Sequence, residues 1–263
     1  MLNAVYGSAK LMIKKPLALL PLFVVAIMAA LSSVLFSLTF LDMVLEIVSY
    51  GTITHKDIVS AVMFFTKMQA GNIATILGVF IATLWLTVFF GIYYCRYVKT
   101  SSHKGSVKNA LQFAFKSLSN SIAFLIAVLI FAFVCMLFGW VLILMPMPWP
   151  WLYIATLAVY LLLVFVIMLK LFLFALPALS YENMNAKKAL QASWGFAEKH
   201  FWQAILLAII LVFFAFAIGA LQASALLNVN DTLVVVIVMS VFNAIIFGFS
   251  LGVLTLYYSK HTS

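Results

Sequence analysis

Six stretches of this chain are apolar on every side over a length that matches a bilayer. They run over about 17–41, 73–94, 122–144, 152–173 and 201–227, with a sixth ending near Tyr257 and Tyr258. A helix needs about 20 apolar residues to cross the hydrocarbon core. Within lipid every backbone polar group must find its partner inside the protein, so the choices are helices or a closed barrel. Barrel strands alternate apolar and polar residues over ~10 positions, and these runs do not alternate. Hydrophobic residues make up 67% of the 263, and charged residues 8%. A soluble domain has about 45–50% and ~25%. The expectation is an all-α integral membrane protein, with 1–263 forming a single six-helix domain. Lys10, Lys14 and Lys15 before the first run resemble a signal peptide. The run that follows is longer than a signal's apolar core, so it reads as a span.

The intervals between the runs carry amphipathic helices. Leu2, Val5, Tyr6, Ala9, Met12 and Ile13 share one helical face, and Pro16 stands where the next helix should begin. In the segment 50–71, Thr54 and Asp57 suggest a cap and Ile58, Ala61, Val62 and Phe65 share a face, which predicts a short outer helix. Ser106 is an N-cap candidate before Val107, Ala110, Leu111, Ala114, Phe115 and Leu118, with Lys108, Gln112 and Lys116 opposite. Pro146, Pro148 and Pro150 predict an outer turn with Trp149 and Trp151 at the interface. The stretch 176–202 reads as a polar interval holding an interfacial helix that feeds the fifth span. Asn230 or Asp231 is expected to cap the sixth.

A shift of 79 residues lays 106–127 on 185–206. Lys108, Ala110, Leu111 and Gln112 then match Lys187, Ala189, Leu190 and Gln191, and Phe115 meets Trp194. The succession of cap, amphipathic helix, span, turn and span is the same in both, and the N-terminal segment follows it too. The chain therefore reads as three repeated units, about 1–98, 99–177 and 178–263, each an interfacial amphipathic helix plus a transmembrane hairpin.

The net charge is +9. With alternating spans, thirteen of the fifteen basic residues fall on one side, leaving only Lys56 and Lys67 on the other with Asp42, Glu46, Asp57 and Asp231. The positive-inside rule places both termini in the cytoplasm. The charge is then assigned to an anionic leaflet, where each Lys or Arg contributes about 1 kcal/mol, and not to nucleic acid.

Pro177, Ala178, Glu182, Ala189, Leu190, Ser193, Trp194, Phe201 and Trp202 follow the order of a known signature. The stretch resembles the membrane-domain family of glycerophosphoryl diester phosphodiesterases and its six-helix relatives. The weaker first signature of that family is similar to 91–115. The resemblance implies a six-helix membrane module across nearly the whole chain. The catalytic barrel of some relatives has no counterpart here, so it implies no enzyme activity.

The candidate contacts for a lipid headgroup or a partner are Lys108, Lys116, Glu182, Lys187, Lys188, Ser193 and Trp194. Each also has a structural reading. Glu182 would be a cap or an ion pair, Ser193 a small residue for close packing, and Trp194 an interface anchor. Asp42 and Glu46, at i and i+4 with His55 or Asp231 near, read as water-facing helix-end acids before they read as a cation site. Asn72, Gln222 and Asn243 read as interhelical hydrogen-bonding groups, with a lined path as the alternative. Gly248 and Gly252 suit close helix packing. No nucleophile–base pair, phosphate-cradling glycine loop or Cys/His cluster is written in the chain, so neither enzyme activity nor a cofactor is expected. Cys95 and Cys135 show no disulfide framework. The leading reading is a non-catalytic protein that organises anionic lipid or a membrane partner through its basic interfacial helices. The alternative is a transporter or channel for a lipid-like or small amphiphilic substrate. Oligomeric state is left open.

Overall fold

A computed structural model describes residues 1–32, 70–101, 107–144, 150–182, 184–226 and 231–262, and every regular element in them is helical. In chain order these are α1 (Leu2–Lys14), α2 (Pro16–Ser32, opening with a 3-10 turn at Pro16–Leu19), α3 (Ala70–Ser101), α4 (Val107–Lys116) and α5 (Leu118–Leu144). Then come α6 (Pro150–Phe172), α7 (Ala175–Glu182), α8 (Ala186–Lys199), α9 (Phe201–Leu226) and α10 (Thr232–Thr262). The expectations about Ser106, the helix over 58–65, Asp42, Glu46, His55 and the 146–149 turn lie outside the described residues.

Five segments are long and apolar enough to cross a bilayer: Leu77–Thr100, Leu118–Gly139, Ile154–Ser180, Phe201–Leu226 and Leu233–Thr262. The pair α1 and α2 makes up to six, and it is bent by 99°. The bend falls at Lys15 and Pro16. Proline lacks the N–H that a continuing helix would need, but is well suited to open the next one. The protein is thus a polytopic all-α membrane protein.

α1 lies along the last turns of α10, so the two ends of the chain meet. The Ser8 hydroxyl donates to the Phe249 carbonyl at 3.1 Å and sits against Gly252. Gly7 approaches Leu256, and Gly248 admits Leu19 and Leu22. Ala4 and Ser8 are the buried residues of α1, whereas Leu2, Tyr6 and Ile13 are 79%, 69% and 81% exposed. The apolar stripe is therefore split: Val5, Ala9 and Met12 pack against the core, while Leu2, Tyr6 and Ile13 face away from it. Between membrane helices small residues make the contact, because lipid serves large apolar side chains as well as a neighbour does.

The core gathers at one end of the bundle. Tyr93, Tyr94, Ile92, Phe174, Leu179, Tyr257 and Tyr258 are almost fully buried, while Phe133, Phe138, Leu161, Leu162 and Phe216 along the spans are exposed. Two buried clusters, one centred on α3, α7, α8, α9 and α10 with members from α1, α5 and α6, and one on α2, α3, α4 and α10, meet at Leu176 and Leu256.

The start of the stretch 176–202 differs from the polar interval expected there: residues 175–182 form α7, with Ala175, Pro177, Ala178, Leu179 and Ser180 buried against its neighbours. Pro177 is tolerated because it lies in the first turn, where no intrahelical donor is needed. The polar character begins at Asn185, whose side chain caps α8 by accepting from the Lys188 N–H at 2.9 Å. Asp231 likewise accepts from the Leu233 N–H at 2.8 Å and opens α10.

Candidate functional site

α6 does not run unbroken into α7. The chain leaves helical geometry at Leu173 and Phe174. Phe174 N–H would bond the Lys170 carbonyl in a continuous helix. Instead it donates to the Ser193 hydroxyl at 3.2 Å, and that hydroxyl donates to the Lys170 carbonyl at 3.0 Å. A side chain from α8 is thus spliced into the backbone ladder of its neighbour, a recognised cause of helix bending. Ser193 is fully buried. It holds α8 to the break and is not turned to a headgroup.

The splice brings α8 alongside α5 and α6 and leaves a groove of about 660 Å³ between them. Its walls are Ala123, Ala127, Leu171, Ala186, Leu190, Trp194 and Gly195, and among the described residues its charged and amide side chains are Lys187 and Gln191. Ala123, Lys187, Gln191, Trp194 and Gly195 are exposed, so the groove is open along one side. The volume falls within the ~300–1,000 Å³ of small-molecule pockets. Small residues hollow it out: a side chain built at Gly195 would meet nothing within 4 Å.

Trp194 forms a wall, held by a cation–π contact. Lys170 Nζ lies 4.9 Å from its ring centroid and 5.7 Å from that of Phe201. Lys170 is thus folded onto aromatic faces beside the groove. Lys187 stands at the amino end of α8, where the helix dipole adds to its positive charge.

Of the sequence-derived candidates, the groove unites Lys187 and Trp194. Lys188 is exposed on the same helix, but it is not among the lining residues. Lys108 and Lys116 are exposed on α4, a different helix, and Glu182 closes α7. Gln222 and Asn243 are half-buried and take no part in the groove. The walls Ala123, Ala127, Leu171 and Gly195 carried no signal in the sequence, since alanine and glycine within a span look the same whether they pack or make room. Arg96, which sequence reasoning did not single out, donates to the Ser180 carbonyl at 3.1 Å, with its guanidinium 4.4 Å from the Phe113 ring centroid, tying α3, α4 and α7 together.

Among the described residues no three His, Cys, Asp or Glu side chains gather as metal ligands would. No family model, curated protein or solved structure matches this chain. What the site does is therefore read from its own residues.

Proposed function

We propose that this protein holds an anionic phospholipid in the groove between α5, α6 and α8, and acts as a non-catalytic organiser of lipid in an inner or plasma membrane. One acyl chain lies against Ala123, Ala127, Leu171 and Leu190, and the phosphate sits at Lys187 with Gln191 beside it. The observation that carries this reading is the composition of the groove: apolar apart from Lys187 and Gln191, and open along one side. Lys188, Lys108 and Lys116, all exposed, add attraction to the same leaflet. The reading includes cytoplasmic termini and the three-unit repeat. Two features favour it: α1 meets the end of α10, and the paired positions Ala110 and Ala189, and Ala114 and Ser193, are all fully buried. The likeness to the diesterase membrane-domain family belongs to the same proposal.

The test uses the full chain in vesicles of phosphatidylglycerol or phosphatidylcholine, doped with a phospholipid that has a photoreactive acyl chain. Labelling is expected at Trp194 and its neighbours and should be stronger in the anionic vesicles. Gly195→Leu, whose Cβ would meet nothing within 4 Å, puts a large side chain into the groove and should abolish labelling there. Lys187→Gln should weaken the anionic preference about fivefold, as expected for one lost charge of about 1 kcal/mol. Undiminished labelling in Gly195→Leu would refute the assignment.

A further inference from the structure

The geometry points to a second site, away from the groove: His200 and His261 form a two-histidine site for a divalent transition-metal ion. His200 caps the carboxyl end of α8, at its joint with α9, and His261 is in the last turn of α10. Sixty-one positions separate them in the chain, yet their ring centroids lie 5.0 Å apart. Two imidazoles bound to one tetrahedral ion at about 2.0–2.1 Å place their centroids about 5 Å apart.

Hydrogen bonding sets the tautomer of both rings. His261 Nδ1 lies 2.9 Å from the Tyr257 carbonyl oxygen, which only accepts. That Nδ1 therefore carries the proton. His200 Nδ1 lies 3.1 Å from Gln203 Oε1, the amide oxygen that also accepts from the Tyr257 hydroxyl. It too must be the donor. In the neutral rings both Nε2 atoms are left with a free lone pair. A histidine that binds metal through one nitrogen nearly always donates the other N–H to a carbonyl, carboxylate or water, and here both rings already do so. Binding needs no proton loss, since the two Nε2 lone pairs simply replace two waters of the hydrated ion.

Access and rigidity fit the same role. His261 is exposed and His200 half-buried. Phe196 packs on His200 at 4.9 Å and Tyr257 on His261 at 4.5 Å, which limits the motion of both rings. The charged neighbours in sequence, Glu198, Lys199 and Lys260, are all exposed, where salt screens them. No third His, Cys, Asp or Glu among the described residues joins the pair, so the remaining coordination positions belong to water. Imidazole nitrogens favour Cu²⁺ over Ni²⁺ and Zn²⁺. A bound ion would clamp the α8–α9 joint to the end of α10.

The experiment uses the full chain in detergent, purified without a polyhistidine tag. Titration with Zn²⁺, Ni²⁺ and Cu²⁺ alone should show saturable binding of one ion per chain and a rising melting temperature. Electron paramagnetic resonance with Cu²⁺ on the unaltered protein should show coupling to two imidazole nitrogens. His200→Ala and His261→Ala should each abolish saturable binding. Gln203→Leu, which releases the His200 ring, should weaken it about tenfold. His55→Ala combined with His103→Ala should leave it unchanged. Absence of saturable binding, a Cu²⁺ spectrum without two imidazole nitrogens, or binding that survives the His200→Ala, His261→Ala double variant would overturn the proposal. The spectrum decides even if a variant fails to fold.

Discussion

Replacing Ser193 with alanine tests the part of the structure on which the groove depends. The substitution removes one oxygen atom from a fully buried position. It takes away the acceptor for Phe174 N–H and the donor to the Lys170 carbonyl together. Two outcomes bracket the cost. If the break relaxes, Phe174 N–H bonds Lys170 directly and the loss approaches that of an average interhelical hydrogen bond in a membrane, about 0.6 kcal/mol. If the break is rigid, each orphaned backbone group costs about 1–3 kcal/mol. Packing decides between them. The Phe174 ring is fully buried, with its centroid 4.7 Å from Phe196, 6.0 Å from Tyr257 and 6.3 Å from Tyr258. Straightening α6 into α7 would pull that ring from its cluster. The expected loss is therefore at the upper end, about 2 kcal/mol or more. Reversible unfolding in mixed micelles with increasing denaturing detergent measures it. Spin labels on the exposed positions Leu162 and Gly195 report whether α8 has moved relative to α6. A Ser193→Ala protein with unchanged stability and an unchanged label distance would show that the hydroxyl does not hold the break.

Two further predictions concern the helix contacts. The Tyr94 hydroxyl is buried and has no hydrogen-bond partner among the described residues, so Tyr94→Phe should be neutral or stabilising by up to about 1–3 kcal/mol, the range for relieving an unsatisfied polar group; the same unfolding titration would refute this by showing a loss. Gly252→Ala drives a methyl into Ser8, whose Cβ already lies 3.2 Å from the position a Cβ at residue 252 would take. It should cost about 1–3 kcal/mol and raise the protease sensitivity of α1, with Ser8→Gly restoring both; failure of the second change to restore them would show that this contact does not seat α1.

Much of the architecture was legible from local rules. Length and uniform apolarity marked the spans, Pro16 marked the start of the helix after α1, and Asp231 caps the helix it was offered for. Those signals act within a few residues of themselves. The site was less legible. Lys187 and Trp194 stood out as a charge and an aromatic on an amphipathic helix, and the groove does bring them together. Its walls did not stand out, because an alanine that packs and an alanine that makes room have the same local pattern. α7 was missed because its polar ending, Ser180 to Glu182, resembles a loop. Ser193 was noticed for its size rather than its hydroxyl, since its partners lie on another helix.

What the chain's composition and periodicity determine by themselves is the solvent of each segment. A run of about 20 apolar residues without alternation is a helix in lipid, because a helix satisfies its own backbone there and a barrel strand would alternate apolar and polar residues. Which face of each helix meets protein was decided only in the folded molecule. In lipid the hydrophobic effect does not separate the two kinds of neighbour. The choice then falls to close contacts between small residues and to single hydrogen bonds, such as Ser8 against Gly252 and Ser193 in the break of α6. Such contacts join residues remote in sequence, and they exist only once the helices have come together.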